Sequence, residues 1–421
     1  MSAPPVQPIV IWFGRVGDMI LLSALLDILH RRYGRGCHLI GAGSWVAQLY
    51  ATHEAVARVS CLHRYTAFLF DVAWWRTLAA LRASRADPVY VCEYDARKLA
   101  RVQRLLTLSG TSPARCLFIT REMSFAPAHR GDTSRVLGDA PPQAQLVAPA
   151  HWGDAPARLA EAPPPTLVQA PAHWVDRLIS FGRLTPAAFG AADYPWPSPP
   201  PRCAPYLEVS AAAQADCAQW IEAQGWSARP LVLVQPGNRR TMRGRRLRLA
   251  AEDDKAWPID RWAALLHRLH AHMPEAVIVL CGAPRESLLL KWIMDAARLP
   301  AVAAAELPLG RLLALCARAH SMISVDTGPA HAAAALSLPL VVMFGANSPA
   351  EWLPRSAGGS AVVGVGGPPQ SRRLDQVPME SVFAAWCGLP GRPAPVAAGG
   401  GAAADGAPRA LRPTAARATA P

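Results

Sequence analysis

Three short constellations in this sequence bring together residue types that hold anions or move protons. In the first, Val325-Asp326-Thr327-Gly328-Pro329-Ala330-His331 follows the apolar run Ser321-Met322-Ile323-Ser324 and opens into Ala332-Ala333-Ala334-Ala335-Leu336. The pattern predicts a buried strand, a tight turn, then an alanine-rich helix with a histidine in its first turn. A helix start leaves backbone N–H groups unpaired and carries partial positive charge, so it suits a phosphate. The plainer alternative makes Asp326 a cap and His331 a satisfied, partly buried side chain.

The second constellation is Phe13-Gly14-Arg15-Val16-Gly17-Asp18, between an opening strand and a helix. Its glycines let backbone approach a ligand closely. Asp18 falls at the helix start, where it is either a cap or a general base for a hydroxyl. The third is Pro236-Gly237-Asn238-Arg239-Arg240-Thr241, after an apolar strand, followed by Lys255-Ala256-Trp257-Pro258. Arg239, Thr241 and Lys255 could grip a pyrophosphate through charge and a hydroxyl donor, or form only a solvated basic loop. Trp257-Pro258 reads as a helix start.

These groups need elements to place them. The N-terminal part alternates strands (Pro8 to Phe13, Cys37 to Gly41, Pro88 to Cys92, Arg115 to Ile119) with helical patterns (Met19 to Tyr33, Tyr65 to Arg85, Asp95 to Ser109). Such alternation implies a parallel sheet with helices on both faces. From Gly138 to Pro205, Pro141-Pro142, Pro163-Pro164-Pro165 and Pro199-Pro200-Pro201 punctuate alanine-rich sequence, with one helix near Pro171 to Phe181. This reads as a final crossover and an interdomain linker. A second alternating unit follows, with strands at Leu231 to Gln235, Ala276 to Cys281, Met322 to Val325 and Leu340 to Phe344. Its helices fall at Ala211 to Gln224, Ile259 to His272, Arg285 to Arg298, Leu309 to His320 and Val377 to Cys387. The expected organisation is an α/β chain of two doubly wound domains, 1–205 and 206–389, facing a cleft. Residues 390–421 lack core residues and are expected to be a disordered tail.

Composition narrows the function classes. No apolar run approaches the ~18 residues of a membrane span, and no signal-like segment opens the chain, so a cytoplasmic protein is expected. Nine dispersed cysteines without a C-x-x-C pair argue against a disulfide framework or a zinc site, and the histidines show no ligand spacing. No metal is expected. The formal charge is +13, of which six charges come from arginines between 239 and 248. Such concentration suits polyanionic substrates better than nucleic acid.

Taken together, the motifs resemble glycosyltransferase family 9, the ADP-heptose:lipopolysaccharide heptosyltransferases. The resemblance rests on Ile11-Trp12-Phe13-Gly14-Arg15-Val16-Gly17-Asp18, on Val234-Gln235-Pro236-Gly237 with Lys255-Ala256-Trp257-Pro258 and Trp262, and on Asp326-Thr327-Gly328-Pro329-Ala330-His331 with Phe344-Gly345-Ala346-Asn347-Ser348-Pro349. It implies a GT-B architecture of two Rossmann-like domains, acceptor on the first and donor on the second. It implies inverting transfer of a heptose or related sugar, without a cofactor, from a nucleotide-diphosphate donor such as ADP-heptose to a lipopolysaccharide core or similar glycan. Contact with the inner membrane surface would be peripheral. On this resemblance Asp18 is the general base. Gly17, Arg239, Thr241, Lys255, Asp326, Thr327, Gly328 and His331 bind the donor. The chain departs from the family pattern in Ser23-Ala24 and in the arginine-rich insertion before Lys255. A protein heptosyltransferase, a nucleotide-sugar epimerase and a silent nucleotide-sugar-binding protein remain alternatives.

Overall fold

A computed structural model describes residues 5–62, 71–119, 173–199, 201–248, 252–300 and 302–393. Strands β1 (Ile9–Ile11), β2 (Cys37–Ala42), β3 (Val56–Leu62), β4 (Val89–Val91) and β5 (Cys116–Phe118) form one sheet in the order β3-β2-β1-β4-β5, with every pair parallel. Beyond it come β6 (Leu231–Gln235) and the hairpin β7 (Met242–Arg243) with β8 (Arg246–Leu247). Then follow β9 (Val277–Gly282), β10 (Val302–Glu306), β11 (Ser321–Val325), β12 (Leu340–Phe344) and β13 (Val362–Gly366). Apart from the hairpin, these make a second parallel sheet, β10-β9-β6-β11-β12-β13.

Each sheet is buried on both faces, which is why its central strands read as unbroken apolar runs. In β1 the pleat sends Val10 into one core and Ile9 and Ile11 into the other. In β6, Val232 and Val234 face one side and Leu231 and Leu233 the opposite one. The strand order switches direction beside β1 in the first sheet and beside β6 in the second. Open α/β sheets hold ligands at such switch points, outside the carboxyl ends of the strands.

Several expectations are sharpened. The pattern from Met19 to Tyr33 forms two successive helices, Val16–Leu21 and Ser23–Tyr33. The Tyr65 to Arg85 pattern is helical over Val72–Ala83, and residues 63–70 are outside the described residues. Pro141-Pro142 and Pro163-Pro164-Pro165 also lie outside them. The helix expected near Pro171 to Phe181 spans Trp174–Arg183, and it packs on Ser23–Tyr33.

One expectation needs correcting. Residues from 390 onward read as tail, but Arg392 is docked. Its N–H donates to the His320 carbonyl at 2.9 Å. Its guanidinium donates to the carbonyls of Cys316, Ala317, Ala319, Leu336 and Ser337 at 2.6–3.3 Å. These carbonyls end the helices Leu309–Arg318 and Gly328–Ala335, where carbonyls lack helical partners. Lone arginines in proline-glycine sequence give no hint of this. Residues from 394 on are outside the described residues.

The two halves are in direct contact. The core beneath the first sheet continues into Leu313, Ala332 and Ala335 of the second half. His173 Nε2 lies 2.7 Å from the Leu353 carbonyl, and Arg355 meets Asp176 through two bonds of 2.5 and 2.8 Å. Trp174 stacks on Tyr94 on one side and meets the Trp352 ring on the other, with centroids 5.3 and 5.4 Å away.

Candidate active site

The first wall of the site is the loop from β1 into the helix Val16–Leu21. Buried Glu93, just past β4, accepts the Phe13 N–H at 3.2 Å through one oxygen and the N–H groups of Tyr94 and Asp95 through the other. Burial pushes its carboxyl above the usual carboxylate range, and these bonds oppose the shift. Asp18 sits in the first helical turn, half-buried, with Oδ2 accepting the Arg15 N–H at 2.7 Å. Arg15, not Asp18, is therefore the N-cap; Asp18 is the third helical residue bonding back to it, which occupies one carboxylate oxygen only.

The opposite wall comes from β11. Val325 is the last strand residue and Thr327 is extended, with φ −157° and ψ 171°. Its side chain makes no capping bond to the helix Gly328–Ala335. The N–H groups of Thr327 and Gly328 have no acceptor among the described residues, whereas those of Ala330 and His331 donate to the Thr327 carbonyl at 3.0 and 3.4 Å. Pro329 in the first turn loses nothing by having no N–H.

The walls meet at two glycines. A Cβ on Gly17 would lie 3.1 Å from His331 Cδ2, and one on Gly328 would lie 3.1 Å from Val16 Cβ. Side chains at either place would wedge the loops apart. His331 is buried behind this contact, and its Nδ1 has no hydrogen-bond partner among the described residues. Burial lowers its pKa, while the carboxylates of Asp326 and Asp18 pull the other way. The imidazole is thus neutral at pH 7 and senses acidic groups from both halves.

Lys255 and Asp326 form the centre of the second half. Lys255 Nζ donates to the Asp326 carbonyl and to its Oδ2, each at 2.7 Å, and Asn347 Nδ2 donates to the same oxygen at 2.7 Å. Asp326 is buried, whereas Lys255 keeps 13% of its side chain exposed. The carboxylate thereby fixes the ammonium at the head of the open helix start. Its part in anion binding is indirect, since it bears like charge to a diphosphate.

Thr241 has a different job from the one expected. Its hydroxyl is buried, accepting the Asn238 N–H at 2.9 Å and donating to Asp253 Oδ2 at 3.3 Å. Asn238 Nδ2 meets the same oxygen, and the Lys255 N–H meets Asp253 Oδ1 at 3.3 Å. Thr241 locks a loop and has no donor left for phosphate. Arg239 is exposed beside it. Glu93, Asp253 and the Asn347 bond carried no sequence signal of their role; Asn347 was visible only as part of a motif.

Among the described residues no cluster of three His, Cys, Asp or Glu side chains could hold a metal ion. The arrangement offers one carboxylate on the first wall, facing a fixed ammonium, a neutral imidazole and a helix start on the second. That combination can deprotonate one reactant and stabilise an anion leaving the other.

The sequence model for glycosyltransferase family 9 (heptosyltransferase) matches residues 173–376. Those residues carry the family's sequence signature. The chain is 33% identical over 105 residues to lipopolysaccharide heptosyltransferase 3 of Escherichia coli, a match covering 24% of this chain and 31% of that protein. Its fold is that of family 9 and is GT-B. The glycosyltransferase family 9 structure from Veillonella parvula DSM 2008 aligns with a TM-score of 0.62 at 13% identity, over 91% of this chain and 97% of that one. The ADP-heptose lipopolysaccharide heptosyltransferase II of E. coli gives 0.58 at 18% identity, over 91% and 98%. The E. coli heptosyltransferase WaaC with ADP gives 0.56 at 18% identity, over 90% and 98%.

Proposed function

We propose that this protein is an inverting glycosyltransferase that moves a heptose from ADP-heptose to a lipopolysaccharide-core or similar glycan. The observation that carries this reading is Lys255, held by the Asp326 carbonyl and carboxylate at the head of the helix Gly328–Ala335. In the proposed step Asp18 takes the proton of an acceptor hydroxyl as its oxygen bonds to the anomeric carbon. The bond from that carbon to the diphosphate breaks, and the electron pair leaves with the diphosphate. Lys255, the open N–H groups at Thr327 and Gly328, and His331 would stabilise the departing charge. Arg239 and Gly17 complete the proposed donor site. The names of two similar structures, one of an ADP-heptose enzyme and one with ADP, support an adenine nucleotide.

Lys255→Ala tests the donor site. Calorimetry should show ADP affinity falling by about tenfold or more, because a charged hydrogen bond is lost and Asp326 is left facing the phosphates. Asp326→Asn added to Lys255→Ala should recover part of that loss. Unchanged ADP affinity in Lys255→Ala, or tighter binding of UDP or GDP by the natural chain, would sink the assignment.

A cytoplasmic position with peripheral contact to an anionic membrane surface belongs to the same proposal. Among the described residues no helix is long and apolar enough to cross a membrane. The helices Val72–Ala83 and Ala96–Ser109 expose Val72, Trp75 and Leu108 among Arg76, Arg82, Arg97 and Arg104, and neither contains an Asp or Glu. Apolar side chains amid arginines suit anionic headgroups. Vesicles containing phosphatidylglycerol should co-sediment the protein, and Trp75→Ala with Arg76→Gln should weaken this. Equal sedimentation with neutral vesicles would refute it.

A further inference from the structure

The loop between β6 and Lys255 carries six arginines and no acidic residue from 239 to 248. A solvated basic loop would have no reason to be ordered, yet this one folds. β7 and β8 pair with Met242 opposite Leu247 and Arg243 opposite Arg246, closed by Gly244 at φ +58° and Arg245. The base is held from below. Met242 is buried in the second-half core, and Leu247 packs against it. The Arg248 N–H donates to the Thr241 carbonyl at 2.9 Å, above the lock of Asn238, Thr241 and Asp253.

This order carries an electrostatic cost. Arg243 and Arg246 are directly opposite in register, and like charges at that spacing destabilise a strand pair. Arg246 is matched by Glu252 at 2.6 Å, and Arg240 by Asp254 at 2.8 Å. Arg243 and Arg245 are exposed and form no ion pair among the described residues. A rigid hairpin that holds unneutralised guanidinium groups together is complementary to an anion with several acceptor oxygens. Guanidinium groups engage phosphate oxygens in pairs, so phosphate is the best match.

Its place tells which phosphate. The hairpin rises from the same loop that positions Lys255, through the neighbouring carboxylates of Asp253 and Asp254. Asp254 Oδ2 also accepts the Ala346 N–H at 3.0 Å, which ties the hairpin base to the loop after β12. The exposed guanidinium groups therefore stand on the loop that carries Lys255, and neither is among the groups assigned to the donor. We propose that Arg243 and Arg245 bind phosphate groups on the acceptor glycan, making the hairpin a selector for phosphorylated acceptors. This rests on the glycosyl-transfer reading above.

The test compares a deacylated, phosphate-bearing lipopolysaccharide core fragment with the same fragment after phosphatase treatment. The natural full chain should bind the phosphorylated fragment about tenfold or more tightly, with a steep loss at high salt. Arg243→Gln with Arg245→Gln should remove that preference and leave ADP affinity and the circular dichroism spectrum unchanged. Arg243→Lys with Arg245→Lys should restore part of it, since charge remains and paired bonding is lost. Equal affinity of the natural chain for both fragments, binding of neither, an unaltered preference in the double glutamine variant, or tighter binding of an RNA oligonucleotide would each overturn the proposal. Failure of the transfer reading would show separately, as absence of ADP binding to the natural chain.

Discussion

Asp18→Asn should cut sugar transfer by roughly 10²- to 10⁴-fold, the range a positioned general base contributes, while ADP affinity stays within a few-fold. The substitution is close to isosteric, and the asparagine carbonyl oxygen can still accept the Arg15 N–H that Asp18 Oδ2 accepts at 2.7 Å. The loop from β1 should therefore keep its shape, and the thermal midpoint should hardly move. What disappears is a proton acceptor, since the amide has no basicity near neutral pH. Single-turnover rates with ADP-heptose and a core glycan, beside ADP calorimetry, separate the outcomes. Parallel loss of donor binding and rate would mean that Asp18 serves the fold or the donor and is no base. Full transfer activity in Asp18→Asn would mean that another group is the base.

The second large effect is on stability in acid. His38, His53 and His173 are each buried, and burial pulls each pKa down from 6.5 to about 4. The unfolded chain takes up these protons near pH 6.5, while the folded chain resists until about pH 4. Stability is thus fully present above pH 6.5 and is lost as pH falls from there toward 4. Each histidine contributes up to about 3 kcal/mol to that loss, from the 1.36 kcal/mol that one pKa unit represents. His173 shows why. Nδ1 accepts the Val175 N–H at 3.1 Å, and Nε2 meets the Leu353 carbonyl at 2.7 Å, an arrangement that only the neutral ring satisfies. Glu93 and Glu286, whose carboxyls burial pushes up, act in the opposite sense and offset part of the loss. Thermal melts should be level between pH 8 and 7 and fall steadily below 6.5, with His173→Gln flattening part of the slope. A midpoint unchanged down to pH 5 would show that these rings are solvated in the folded protein.

The legible and illegible parts of the fold divide by burial. β1, β2, β4, β5, β6, β9, β11 and β12 were read from the sequence because their residues are buried and nearly all apolar or small. β3, β10 and β13 were missed; each is an outermost strand that, unlike the fully buried edge strand β5, is partly exposed. With one neighbour, such a strand needs no continuous apolar run: β3 alternates exposed Ala57 and Arg58 with Val59, β10 is mostly alanine, and β13 is broken by Gly364. In the site, Asp18, Lys255, Asp326 and His331 were legible as types at loop ends. Their partnerships were not. Lys255 and Asp326 are 71 residues apart, and nothing local links them. Thr241 misled for the same reason, since its hydroxyl is consumed by Asp253, twelve residues on. The role of His173, in what read as linker, depends on Leu353 in the other half.

Arg392 bears on where the second half can be cut. The last helix closes at Cys387 and the sequence then thins into proline, glycine and alanine, so a boundary at 389 looks natural for expression, grafting or crystallisation. Cutting there would strip one guanidinium from the carbonyl ends of two helices, one of them the helix whose opposite end faces the cleft. The second half therefore includes Arg392. A residue outside every recognisable element is part of the scaffold on which the anion-binding turn stands.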